Sequence, residues 1–314
     1  MRNAFADELT RLGDTDPRLV MLSGDIGNRL FDKFRAKHPS RFFNCGVAEQ
    51  NMMGVAAGLA LSGLRPVAYT ITPFVTTRCL EQIRVDVCYH EAPVIIVAVG
   101  AGLAYAGLGP THHACEDISF LRSLPGMIVC CPGDAWEVRA ALRAALAQDR
   151  PVYIRMGKKG EPQVHAEVPA AFAFGRALSL REGDEVCLVS TGNILPEVLH
   201  AADVLAAHGR SVQVLSMHTV KPLDTAALAR AFARCRVVAT CEEHGPIGGL
   251  GAAVTEWMAD SGTRAPPGGV VRFNTGDAFF RLSGEQEFAR EQLGLAGHQI
   301  AERIERVLAG KAAA

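Results

Sequence analysis

Glu49 stands at the entrance of an otherwise apolar, small-residue stretch, FFNCGVAEQNMMGVAAGLALSG (42–63). Two readings are open. An acid in the first turn of a helix suits the positive end of the macrodipole, and Gly54, Ala56, Ala57, Gly58 and Ala60 let a neighbour pack close. Alternatively, a carboxyl held in an apolar pocket has a raised pKa and can donate a proton.

Four further stretches carry groups with chemical potential. In AYTITPFVTTRCLEQIR (68–84), Phe74 follows an apolar run that reads as a strand. The carboxyl ends of parallel strands are where α/β sheets bind ligands, so the ring is either a corner of the core or a platform for a planar ligand. AGLAYAGLGPTHHACEDISFLRSLPGM (101–127) is a Gly-rich loop leading to His112, His113, Cys115, Glu116 and Asp117. No pair there has the i, i+4 histidine or CxxC spacing of a zinc site, so a metal is not expected. A histidine on such a loop reads instead as a substrate contact or proton carrier. In PVYIRMGKKG (151–160), Arg155 ends an apolar strand, where it either anchors an anion or snorkels outward. EEHGPIGGLG (242–251) offers GxxGGxG rather than the dinucleotide spacing GxGxxG, which favours a tight turn packing a helix on a sheet.

The elements that must position these groups alternate along the chain. Strands are expected at 19–22, 66–71, 94–99, 128–132 and 151–156, and helices at 2–12, 47–62, 75–90, 115–121 and 134–148. Continuous apolar strands such as VIIVAV fit a sheet covered on both faces. The expected class is α/β, with two consecutive parallel-sheet domains at 1–160 and 185–314. The stretch 161–184 mixes Gly, Pro and charge without a period and reads as a linker with at most one short ordered piece. The length of 314 residues agrees with two domains.

Composition narrows the class of function. The formal net charge is −1 with dispersed basic residues, which argues against nucleic acid or an anionic membrane as the main partner. No apolar run approaches the ~20 residues of a membrane span. The amphipathic, acid-bearing start MRNAFADELTRLGD is not that of a signal peptide. Nine cysteines without zinc or disulfide spacing point to a reducing cytoplasm.

In combination and order, GVAEQN, PFVTTR, GPTHH–ED, RSLPGMIVCCPGDAWE and PVYIRMG resemble the pyrimidine-binding domain of thiamine-diphosphate enzymes of the transketolase group. From about residue 185, TG, VKPLD and EEHGPIGGLG resemble that group's C-terminal domain. The resemblance implies that thiamine diphosphate lies between two protomers, one receiving its aminopyrimidine and the other holding its diphosphate with Mg²⁺ or Ca²⁺. It makes Glu49 the carboxyl that hydrogen-bonds the pyrimidine ring and Phe74 the ring that stacks on it. Asp25 matches an acid near the cofactor, and Ile71 and Thr77 stand where aromatics commonly flank the stacking residue. His112 matches the loop histidine at the reacting oxygens of the substrate. Arg155 and Arg2 match arginines that hold a distal phosphate.

Two departures from the family pattern matter. The diphosphate motif G-D-G followed by Asn is missing, as is the domain that carries it. The resemblance therefore implies the C-terminal subunit of a split transketolase, paired as α2β2 with a diphosphate-binding subunit. Leu108 replaces an acid that contacts a substrate hydroxyl, and Gly100 replaces a phosphate-contacting histidine. An unpaired hydroxyl against Leu108 costs roughly 1–3 kcal/mol, so the expected substrate is not the standard pentose-phosphate pair. Competing readings are the β subunit of a 2-oxo acid dehydrogenase's decarboxylating component, a deoxyxylulose-phosphate-synthase-like carboligase, and a non-catalytic scaffold.

Overall fold

The computed structural model describes residues 1–27, 29–158 and 160–310. Its first half contains β1 (Leu19–Ser23), β2 (Phe42–Asn44), β3 (Arg65–Ile71), β4 (Ile95–Val99), β5 (Ile128–Cys130) and β6 (Val152–Met156). These lie parallel in the order β5-β6-β4-β3-β1-β2. The strand β4 explains why the sequence is continuously apolar there. Ile95, Val97 and Val99 enter a core with Phe5, Leu9 and Tyr69 on one face, while Ile96 and Ala98 enter a core with Met52 and Ala56 on the other. Both faces being covered, no position in the strand is left for a polar side chain.

The second half contains β7 (Leu178–Arg181), β8 (Val186–Ser190), β9 (Val212–Ser216), β10 (Thr219–Lys221), β11 (Val237–Cys241) and β12 (Val270–Phe273). Its sheet runs β12-β11-β8-β9-β7, parallel except for β7, which pairs antiparallel with β9. Again the strand side chains alternate between cores, Val186 and Leu188 to one and Cys187 and Val189 to the other. The strand β10 leaves this sheet and adds to the first one, antiparallel to β5 with Thr219 opposite Cys130. The two sheets are thus joined by a strand of the second half.

Several elements depart from the sequence reading. The strand β7 lies within 161–184, where the sequence reading placed a linker with room for one short ordered piece, and it pairs into the second sheet. The strands β2 and β10 are three residues each, too short to carry a period. The continuous helix expected at 75–90 is broken into a turn at Thr72–Val75, a 3-10 turn at Thr77–Cys79, a short helix at Leu80–Gln82 and a π-helical stretch at Ile83–Tyr89. The break falls at Thr76, whose hydroxyl donates to the Thr72 carbonyl at 2.7 Å. Hydroxyl bonds of this kind let a residue satisfy the backbone outside a regular helix. No helix among the described residues is long and apolar enough to cross a membrane.

Candidate active site

The helix Glu49–Leu61 presses Met52, Met53, Ala56, Ala57 and Ala60 into the first core. Its small residues bring it close to the sheet, and that places Glu49 at the helix entrance, 4% exposed. Gly24, at the end of β1, leaves room beside it: a Cβ there would press on Thr70 and approach Glu49 Cγ at 3.9 Å. Glu49 Oε2 accepts from Arg78 Nη1 at 2.8 Å. The same guanidinium lies over Phe74, 4.3 Å from the ring centroid. Phe74 itself sits in the single α-helical turn Thr72–Val75 that follows β3. His112 meets the Phe74 ring edge to face, at 5.4 Å and 69°. Glu49, Phe74 and His112, separated in sequence, are therefore brought together, and Arg78 is the contact between the first two.

The loop after β4 supplies His112. Gly100 has a φ of +83°, and the Tyr105 ring packs on its backbone where a Cβ would stand. Tyr105 in turn lies 6.2 Å from His112. Burial pushes the Tyr105 phenol up, and the nearby charge of Arg2 opposes it. The Arg2 backbone N–H is tied to the Lys158 carbonyl at 3.0 Å. Burial, reinforced by neighbouring His113, pushes the His112 imidazole below its ordinary value. His113 faces inward and bonds the Ala106 carbonyl through Nε2 at 3.0 Å, so of the two adjacent histidines only His112 faces the Phe74 ring.

Asp25 is exposed and accepts from Asn44 Nδ2 at 3.0 Å. It lines a cleft of about 740 Å³ with Ser23, Arg29, Arg35 and Phe42. Ile71 ends β3, half-buried, and Thr77 is exposed on the turn that carries Arg78. Leu108 is 57% exposed, four residues before His112.

Arg155 corrects the sequence reading. It does not snorkel: it is 1% exposed, and its Nε and Nη2 donors are taken up inside the protein. Its Nε donates to Asp117 Oδ2 at 2.8 Å, and its Nη2 donates to the Ala114 and Glu243 carbonyls at 2.7 and 2.9 Å. Tyr153 donates its hydroxyl to the same Asp117 oxygen at 2.5 Å. Arg155 thus ties the His112 loop and the second half of the chain to β6. Glu243 strengthens the junction by accepting from the Leu103 N–H at 2.9 Å and from Gln286 Nε2 at 2.9 Å.

The Gly-rich turn at 242–251 also resolves. Glu242 accepts from the Leu250 and Gly251 N–H groups at 2.6 and 2.7 Å. An internal carboxylate therefore takes the helix-terminal donors that an external phosphate would need. Arg78 was overlooked in the sequence, since its partner Glu49 lies 29 residues away. So were Tyr105 and the pairing of Asp117 with Arg155.

Residues 1–162 match the family model described as transketolase, pyrimidine binding domain, and residues 175–291 that described as transketolase, C-terminal domain. A 6-deoxy-6-sulfo-D-fructose transketolase subunit from Clostridium sp. (strain MSTE9) is 35% identical over 96% of this chain and 95% of its own. A subunit of an apulose-4-phosphate transketolase from Phocaeicola vulgatus is 34% identical over 83% of this chain and 84% of its own. Among solved structures, a split gene transketolase, described as an inactive beta4 tetramer, superposes with a TM-score of 0.88 at 36% identity, covering 99% of this chain and 98% of that one.

Proposed function

Since this chain belongs to the transketolase family, we propose that it is the pyrimidine-side subunit of a two-subunit, thiamine-diphosphate-dependent ketol transferase. The enzyme moves a two-carbon unit from a ketose-type donor to an aldehyde-type acceptor. The observation that carries this reading is the meeting of a buried carboxyl, Glu49, with the Phe74 ring, close enough for one guanidinium to touch both.

These residues fit the aminopyrimidine end of the cofactor. Glu49 would hold the ring nitrogen and Phe74 would stack on the ring. When bound, thiamine diphosphate supplies the electron sink that cleavage of a carbon–carbon bond beside a carbonyl requires. His112, on its loop against Phe74, is placed to hold or move a proton at a substrate oxygen. The second half's Gly-rich turn does not fit the diphosphate, because Glu242 already occupies its donors. We assign the diphosphate and its Mg²⁺ or Ca²⁺ to a separate subunit, in an α2β2 assembly in the cytoplasm. Alone, this chain would self-associate without activity, in the manner of the inactive beta4 tetramer of the split-gene relative.

The substrate is a modified sugar rather than the standard pentose phosphates. The apolar, exposed Leu108 beside the histidine loop supports this, as do two relatives named for sulfofructose and apulose phosphate. Reconstitution with a diphosphate-binding subunit tests the whole reading. Calorimetry should detect thiamine diphosphate binding with Mg²⁺ only in the mixture. Turnover of xylulose 5-phosphate with ribose 5-phosphate at ordinary enzyme rates would overturn the substrate assignment.

A further inference from the structure

We propose that Arg78 gates the pyrimidine seat, so that its guanidinium must leave the Glu49–Phe74 bridge before an aminopyrimidine ring can enter. The inference rests on the function proposed above, and it deepens that reading by naming a residue that controls cofactor entry.

A guanidinium is a planar cation that can donate in its plane and stack through its face. Arg78 does both, donating to Glu49 Oε2 at 2.8 Å and lying 4.3 Å from the Phe74 centroid. A hydrogen bond to Glu49 and a stack on Phe74 are the two contacts an aminopyrimidine would make. Arg78 therefore reproduces the recognition of the ring with a group of this chain. His112 also flanks Phe74 edge to face, at 5.4 Å.

Charge points the same way. A guanidinium pairs best with an anionic carboxylate. A ring nitrogen that carries no hydrogen needs a carboxyl that donates. The two partners ask for opposite states of Glu49, so they compete for it chemically as well as sterically.

The bridge is also easy to open. The Arg78 side chain is 42% exposed, whereas that of Glu49 is 5% exposed. Arg78 makes no other side-chain hydrogen bond among the described residues. It rides on the 3-10 turn Thr77–Cys79, at the break in the helical run rather than inside a packed helix. Swinging outward therefore exposes a side chain already half in water and breaks one ion pair and one cation–π contact. Contacts of this partly exposed kind are weak, so the gate slows or weakens entry without preventing it.

The test compares Arg78→Ala and Arg78→Lys with the wild type, each reconstituted with the diphosphate-binding subunit. The readouts are the rate and affinity of thiamine diphosphate binding in the presence of Mg²⁺, by stopped flow and calorimetry. Inorganic pyrophosphate is the control probe, since it lacks the ring. Arg78→Ala should bind thiamine diphosphate faster or more tightly by roughly three- to tenfold, the weight of such contacts, with Arg78→Lys between. Pyrophosphate binding should not change. Equal or weaker binding by Arg78→Ala overturns the gate, weaker binding marking Arg78 as a holder of the ring instead. A wild-type complex that binds no thiamine diphosphate overturns the proposed function, and the gate with it.

Discussion

Arg155 donates its Nε–H to Asp117 Oδ2 at 2.8 Å, with the two side chains 1% and 2% exposed. The pair sits where the histidine loop, β6 and the second half of the chain meet, because the same guanidinium also bonds the carbonyls of Ala114 and Glu243. An arginine that looks like a substrate anchor in the sequence is here a bolt between two α/β units. Its desolvation is offset by Asp117, by the two carbonyls, and by Tyr153 acting through Asp117.

Removing one member should therefore cost stability. Arg155→Met leaves the Asp117 carboxylate buried with only Tyr153 as partner, a loss on the order of 3–5 kcal/mol. Urea unfolding measures it. The double variant Arg155→Met, Asp117→Leu should recover part of the loss, since no lone charge remains. A single variant that unfolds at the wild-type midpoint would remove the structural role.

Glu8 predicts a pH dependence. It is 1% exposed and accepts from Arg143 Nε at 2.7 Å and Arg11 Nε at 3.1 Å. Burial alone would raise its carboxyl, but Arg143 and Arg11 outweigh it and hold the group at about 2, below the ordinary 4.5. A depressed carboxyl contributes stability above its unfolded value and loses it as pH falls through the folded one. The stability gap between wild type and Glu8→Gln should stay level above pH 4.5 and close between 4.5 and about 2. Unfolding curves across that range check it, and a gap that widens on acidification would reverse the sign.

Much of the fold was legible because the central strands of both sheets are buried on two faces, which imprints unbroken apolar runs such as 94–99. The strands β2 and β10 were not, because their pairing is decided by distant neighbours. Within the site, Glu49 and Phe74 were legible as an acid at a helix start and a ring at a strand end. Arg78 was not, because its meaning lies in bridging two residues 25 positions apart, Glu49 and Phe74. Arg155 misled for a related reason: a strand-end arginine beside a Gly/Lys loop looks exposed until the second half of the chain is packed over it.

Glu49→Gln should separate chemistry from folding. The amide keeps the volume and loses the acid, so its thermal midpoint should change little while exchange of the thiazolium C2 proton in the reconstituted complex falls by about 10²–10⁴-fold, the usual weight of a positioned acid. Wild-type exchange in this variant would remove Glu49 from the mechanism.

His112 should set the acid limb of activity. Burial and neighbouring His113 keep its imidazole below the ordinary 6.5, so it is neutral at pH 7. If its neutral form takes a proton, kcat/KM should fall only below pH 6.5, and His112→Asn should lower the plateau and abolish that limb. An acid limb unchanged in His112→Asn would assign it to another group.

Leu108 tests substrate choice. It is 57% exposed on a short turn, so replacing it should not disturb the fold. An acid there could accept from a substrate hydroxyl that an apolar side chain would leave unpaired, a difference of about 1–3 kcal/mol. Leu108→Asp should therefore raise kcat/KM for an acceptor bearing that hydroxyl, relative to its deoxy analogue, by roughly five- to hundredfold. The competition assay uses both acceptors at once, which cancels any change in active fraction. A ratio that does not move would place Leu108 outside the substrate's reach and transfer the choice of sugar to the partner subunit.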